Sequence, residues 1–205
     1  MSSTERWILL GDSIQASVFE APGPVNVGCQ DLMAVNLAKN TGAVIQNLSW
    51  GGSRVTDGGW AGFGWASNAP TIQRVSGPNA AKGVLITLGV NDWGEPSVSG
   101  IGFITACRNL IRACKAAGLK VVWLSPIWNV NGGTPQVKGD GSWTLAQWCS
   151  FIANVCFEEG AGHISGLSAP LTPAHFADGT HLNASGHVAL EPYVRQQLNT
   201  LGHML

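Results

Sequence analysis

Charged side chains are scarce. Asp, Glu, Lys and Arg make up 11% of the 205 residues and leave a net charge of −1, against a usual charged share of about 25%. A disordered tail, a coiled coil or a nucleic-acid binder needs a high or one-sided charge density, so all three are excluded. Long apolar runs are also missing, and none approaches the roughly 18 residues that span a bilayer. Glu5 and Arg6 stand before a run of only four apolar residues, too short for a secretory segment, and no lipidation signal is present. The expectation is a soluble chain without signal peptide or membrane span, cytoplasmic, or virion-associated if it derives from a phage.

Paired cysteines are lacking too. Cys29, Cys107, Cys114, Cys149 and Cys156 are odd in number and contain no CxxC, which excludes a disulfide framework and a zinc ribbon. Cys107 and Cys114 share a helical face with Ile104 and Ile111, and Cys149 and Cys156 share one with Leu145, Ile152 and Val155, so reduced core cysteines are expected. His163, His175, His187 and His203 lack metal-ligand spacing, and neither metal nor cofactor is predicted.

What the chain does have is apolar residues at 45%, with 27 Gly, 10 Pro and 9 Trp. Such a chain can bury a core, and its glycines and indoles imply loop-rich, aromatic-lined surfaces. Short apolar, β-branched runs at 7–10, 43–48, 83–88 and 120–124 read as buried parallel strands. Helices are expected at about 28–40, 99–117 and 143–159, with a last one from Ala184, N-capped by Asn183 and kinked or restarted at Pro192. No repeat or linker interrupts this alternation, which predicts one α/β domain over 1–205, a parallel sheet covered by helices on both faces.

Ligands of such sheets sit beyond the carboxyl ends of the strands. Gly11-Asp12-Ser13 follows the first run, Ser49-Trp50-Gly51-Gly52-Ser53 the second, Gly89-Val90-Asn91-Asp92 the third and Ser125-Pro126-Ile127-Trp128 the fourth. A serine hydroxyl needs a base within hydrogen-bond reach and a third group to orient that base. Ser13 is the candidate nucleophile. In Asp178-Gly179-Thr180-His181 the turn can bring the carboxylate back onto the imidazole Nδ1, which leaves Nε2 for Ser13. Acyl transfer also needs donors aimed at the developing oxyanion, and the Ser13 and Gly52 backbone N–H groups and the Asn91 amide fall on the same rim.

These blocks resemble the SGNH or GDSL-type hydrolases, a flavodoxin-like group of esterases and lipases, over nearly the whole chain. Gly11-Asp12-Ser13-Ile14 is similar to the family's first block, Asn47 through Gly52 to its second, Gly89-Val90-Asn91-Asp92 to its third, and Asp178 through Gly186 to its last, the most specific of the four. The resemblance implies a three-layer α/β/α fold with about five parallel strands, the triad Ser13, Asp178 and His181, and an oxyanion hole of Ser13, Gly52 and Asn91. Ile14-Gln15 departs from the commoner Leu-Ser or Leu-Thr. The GxSxG elbow of α/β-hydrolases is absent, as the family's N-terminal serine leads one to expect.

Two glycine-rich aromatic stretches, 57–65 and 128–143, are expected to overhang the cleft, with Trp60, Trp65 and Trp128 as candidate substrate contacts and Arg54 and His175 beside them. Flat indoles near a serine suit a sugar ring or an aryl ester, and no contiguous aliphatic lid is evident. The activity expected is hydrolysis of short acyl esters, acetyl first, on a carbohydrate or small ester. The alternatives are a lysophospholipase or thioesterase, and a catalytically silent glycan-binding module on the same scaffold. Oligomeric state is left open.

Overall fold

In a computed structural model of the chain, residues 5–15, 32–57, 81–127, 142–178 and 180–203 are described. Their elements run β1 (Arg6–Gly11), α1 (Met33–Thr41), β2 (Val44–Asn47), β3 (Gly83–Thr87), α2 (Val90–Gly94), α3 (Gly100–Ala116), β4 (Lys120–Leu124), α4 (Leu145–Glu158), β5 (Gly162–Ile164) and α5 (Ala184–Thr200). The five strands form one sheet in the order β2-β1-β3-β4-β5, and every pairing is parallel.

Strand alternation divides the core. Ile8, Leu10, Val84, Ile86, Val121 and Trp123 face α3 and α4, and Phe103 of α3 stacks on Trp148 of α4 with ring centroids 4.3 Å apart. On the other face Trp7, Leu9, Leu85, Val122 and Leu124 pack with residues of α1 and α5. This is the predicted three-layer flavodoxin-like arrangement. Fully burying each large apolar side chain contributes about 1.5–3 kcal/mol, so the sheet is held from both sides.

Helix starts follow local chemistry. Ser99 accepts the Gly102 N–H at 3.1 Å at the start of α3. Thr144 and Gln147 make a reciprocal capping box at the start of α4, and Asn183 accepts the Gly186 N–H at 3.0 Å at the start of α5. Each such cap is worth about 1 kcal/mol.

Two expectations are corrected. The second strand is not buried: β2 is an edge strand with neighbours on one side, and Val44 is exposed. Helix α5 does not restart at Pro192 but runs through it. The missing N–H deprives the Val188 carbonyl of its partner, yet Val188 lies on the exposed side, where water can serve, while Leu190, Val194 and Leu198 stay buried. The fifth strand that the family resemblance implies is β5, three residues that pair with β4 where the sequence offered no apolar run. Cys107, Cys114 and Cys156 are free and buried and Cys149 half-buried, as expected; Cys29 lies outside the described residues.

Candidate active site

The chain leaves β1 on one side for β2 and returns to its other side for β3. The strand order therefore reverses between β1 and β3, and the crevice beyond their carboxyl ends is where such folds bind ligands. Ser13 and Asn91 lie there, each just past the end of its strand.

The turn that presents Ser13 is built by its neighbours. Asp12 is buried and its Oδ1 accepts the Ile14 N–H at 3.0 Å, while the Gln15 N–H donates to the Asp12 carbonyl at 3.1 Å. This Asx-type turn leaves Ser13 half-buried at its corner. Asn47 at the end of β2 donates from Nδ2 to the Gln15 carbonyl at 2.8 Å, so the second strand also holds the turn.

From across the crevice comes the segment before α5. Ser13 Oγ and His181 Nε2 are 2.9 Å apart, and His181 Nδ1 is 2.8 Å from Asp178 Oδ2. The other oxygen, Oδ1, accepts the His181 N–H at 2.8 Å and the Thr180 N–H at 3.0 Å, which fixes the carboxylate plane. Burial pushes the Asp178 carboxyl up, but these hydrogen bonds and the charge of His181 outweigh it and hold the group below its ordinary range. The segment is anchored in turn. The Ala177 N–H donates to the His181 carbonyl at 2.8 Å, Asn183 Nδ2 donates to the Ala174 carbonyl at 2.7 Å, and a Cβ at Gly186 would stand 2.4 Å from the His175 carbonyl.

The oxyanion candidates are tied to this frame. The Trp50 N–H donates to the Gly11 carbonyl and the Ser53 N–H to the Trp50 carbonyl, both at 3.1 Å, and Gly52 turns the chain between them at φ 72°, a conformation that favours glycine. Asn91 Nδ2 donates to the Ser53 carbonyl at 3.0 Å. Among the described residues neither the Ser13 nor the Gly52 N–H has an acceptor, so both remain available as donors. Behind them Asp92, fully buried, accepts the Val55 N–H and Thr56 N–H at 2.9 Å each and the Thr56 hydroxyl at 2.7 Å.

The outer candidates fare differently. Arg54 turns inward: it is 6% exposed, pairs with Glu95 at 3.1 Å and donates to the Asp57 carbonyl at 2.9 Å. Its charge serves the loop and Asp92 rather than facing the cleft. His175 Nδ1 accepts the Thr172 N–H at 2.9 Å and closes the turn over Pro173–His175. Trp60, Trp65 and Trp128 lie outside the described residues. Trp50, which the sequence sets in the second rim block but not among the candidate substrate contacts, is 70% exposed beside Gly51 and Gly52; its place two residues before the candidate oxyanion glycine was the signal available. A second serine–histidine contact, Ser125 Oγ to His163 Nε2 at 2.9 Å, has Cys149 beside it and, among the described residues, no carboxylate. No group of three or more metal-ligating side chains occurs among the described residues.

A parallel α/β sheet whose switch point carries Ser, His and Asp in hydrogen-bonded series has the arrangement that serine hydrolases use. The family model for GDSL-like lipases and acylhydrolases matches residues 9–189, and the chain belongs to that family. It is accordingly a carboxylic ester hydrolase. Among solved structures, a carbohydrate acetylesterase family member from Sinorhizobium meliloti is similar at 20% identity and a TM-score of 0.70, over 96% of this chain and 100% of that one. The M. smegmatis aryl esterase is similar at 14% identity and 0.73, over 97% and 100%. The psychrotrophic esterase EstA from Pseudoalteromonas sp., in a structure inhibited by monoethylphosphonate, is similar at 14% identity and 0.71, over 96% and 98%. At these identities the likeness is one of fold. No curated protein matches the sequence.

Proposed function

We propose that the whole chain is one catalytic domain that removes short acyl groups, acetyl first, from a carbohydrate or small ester through a covalent acyl-enzyme on Ser13. The observation that carries this reading is the unbroken series Asp178 Oδ2, His181 Nδ1, His181 Nε2, Ser13 Oγ, with links of 2.8 and 2.9 Å. Nε2 takes the Ser13 proton as Oγ attacks the ester carbonyl, and the tetrahedral oxyanion is met by the Ser13 and Gly52 N–H groups and the Asn91 amide. Collapse expels the alcohol, which takes the proton back from His181. Water, deprotonated by the same Nε2, then releases the carboxylic acid. Asp178 keeps the proton on Nδ1 and stabilises the imidazolium.

Short acyl preference is supported by the sequence, which offers no contiguous aliphatic lid to shelter a long chain. The test is a p-nitrophenyl ester series. Acetate should be hydrolysed faster than octanoate, and Ser13→Ala should lose more than about 10³-fold in kcat/KM. A preference for octanoate would favour the lysophospholipase or thioesterase reading instead.

A further inference from the structure

Two carboxyl groups are buried behind the oxyanion candidates, and their surroundings differ. Asp92 receives three hydrogen bonds through its two oxygens and the nearby charge of Arg54. Asp12 receives one side-chain hydrogen bond, from Ile14 to Oδ1 at 3.0 Å, and among the described residues its Oδ2 is buried without a partner. Asp12 shares a cavity with Gln15, whose Oε1 is also buried without a partner among the described residues, and with Thr87 and Ser125. A carboxylate there leaves a bare acceptor in a cavity that already holds another, a costly arrangement in an interior. A carboxylic acid instead supplies the missing donor at Oδ2.

The chemistry next door makes the same demand. Ser13 follows Asp12 directly, and negative charge develops at the Ser13 N–H during acyl transfer. A second negative charge in the wall behind, unscreened by solvent, opposes it. Burial pushes the Asp92 carboxyl up as well, but the Val55 and Thr56 donors and the charge of Arg54 oppose that rise, so Asp92 is the better-compensated carboxylate of the two.

We propose that Asp12 is a positioning residue that works as a neutral acid, its Oδ1 holding the turn that presents Ser13 and its proton keeping the wall behind the oxyanion uncharged. The inference rests on the acyl-transfer reading of Ser13. Burial pushes the Asp12 carboxyl up to about 7, with the charge of Asp92 adding to the rise and the Ile14 N–H opposing it. The charged and titratable groups around it are few. Asp92 faces it from α2, Arg54 spends its charge on Asp92 and Glu95, and His181 with Asp178 reaches it through Ser13. From the ends of β3 and β4 come Thr87 and Ser125, and from α5 Leu190, all uncharged at these pH values.

The experiment compares kcat/KM from pH 5 to 9 for wild type and Asp12→Asn, an isostere that keeps the Oδ1 acceptor and is permanently neutral. The readout is the shape of each profile and not its height. The general base His181 is common to both profiles, so the ratio of wild type to Asp12→Asn should fall at least fivefold between pH 6 and 9. Parallel profiles overturn the proposal. Should Asp12→Asn fail to fold, carboxyl carbon shifts of aspartate-labelled wild type decide: one aspartate titrating near neutral pH supports it, and all of them titrating below pH 5 overturns it. Full activity in Ser13→Ala would instead sink the esterase reading, and the carbon titration would still judge Asp12 separately.

Discussion

The Asn91 side-chain amide donates one of its two protons to the Ser53 carbonyl at 3.0 Å, which fixes the plane of the amide and leaves the second proton for a ligand. An oxyanion donor must be held before the reaction, because its value lies in needing no reorganisation as charge develops. Replacing Asn91 with Ala should lower kcat by about 10²–10³-fold, roughly 2.7–4 kcal/mol of transition-state stabilisation, with little change in KM. Steady-state kinetics on a short acyl ester checks this, and an unchanged kcat would remove Asn91 from the oxyanion hole.

Asp92 holds the same loop from below. Val55 N–H and the Thr56 N–H and hydroxyl all end on its carboxylate. Asp92→Ala leaves buried donors without acceptors, each at about 1–3 kcal/mol. Unlike Asn91→Ala, it should lower the free energy of unfolding by at least about 2 kcal/mol in urea titrations and lower kcat as well. A variant as stable as wild type would show that the clamp carries no strain.

Trp50 stands on a backbone pinned at both ends, to Gly11 and to Ser53, while its side chain is 70% exposed. Nothing in the core depends on it, so Trp50→Ala should change stability by less than about 0.5 kcal/mol. Beside the candidate oxyanion glycine, an indole face favours flat or ring-shaped alcohols. The expected result is a rise in KM for phenyl acetate or an acetylated sugar with ethyl acetate unaffected. Equal effects on all three esters would take Trp50 out of recognition.

Two buried groups give stability opposite dependences on pH. His187, whose Nδ1 accepts from the Met33 N–H, is lowered by burial from 6.5 to about 4, so the unfolded chain binds its proton first. That contribution is present above pH 6.5 and is lost as pH falls towards 4, by about 3 kcal/mol in all. Asp12, raised from 3.8 to about 7, holds its proton longer in the folded state, and stability is lost as pH rises between those values, by about 4 kcal/mol. The two slopes oppose each other between pH 4 and 6.5. Relative to wild type, the stability of His187→Gln should therefore slope down towards high pH across this range, and that of Asp12→Asn should slope up.

Much of this site was legible because its chemistry is carried by short sequence blocks at strand ends. Ser13, Asn91 and the pair Asp178 and His181 each follow or precede a periodic apolar segment, so placing the elements placed the residues. What escaped depends on partners distant in sequence. Arg54 reads as a free cation until Glu95 is brought against it, and His175 as a pocket residue until Thr172 claims its Nδ1. The edge position of β2 follows from strand order, which local pattern does not encode, and β5 escaped because three residues carry no period. The burial of Asp12 was likewise invisible, since Asp in a turn is ordinarily solvated.

The central claim is that Ser13 is the acylated nucleophile. The most direct measurement is intact mass and peptide mapping after treatment with a p-nitrophenyl alkylphosphonate, alongside the hydrolysis rate of p-nitrophenyl acetate. The account predicts one adduct per chain, on Ser13, with activity lost in step with labelling and no adduct in Ser13→Ala. A Ser13→Ala protein that hydrolyses the acetate at the wild-type rate, or full labelling at Ser13 with activity intact, would contradict it.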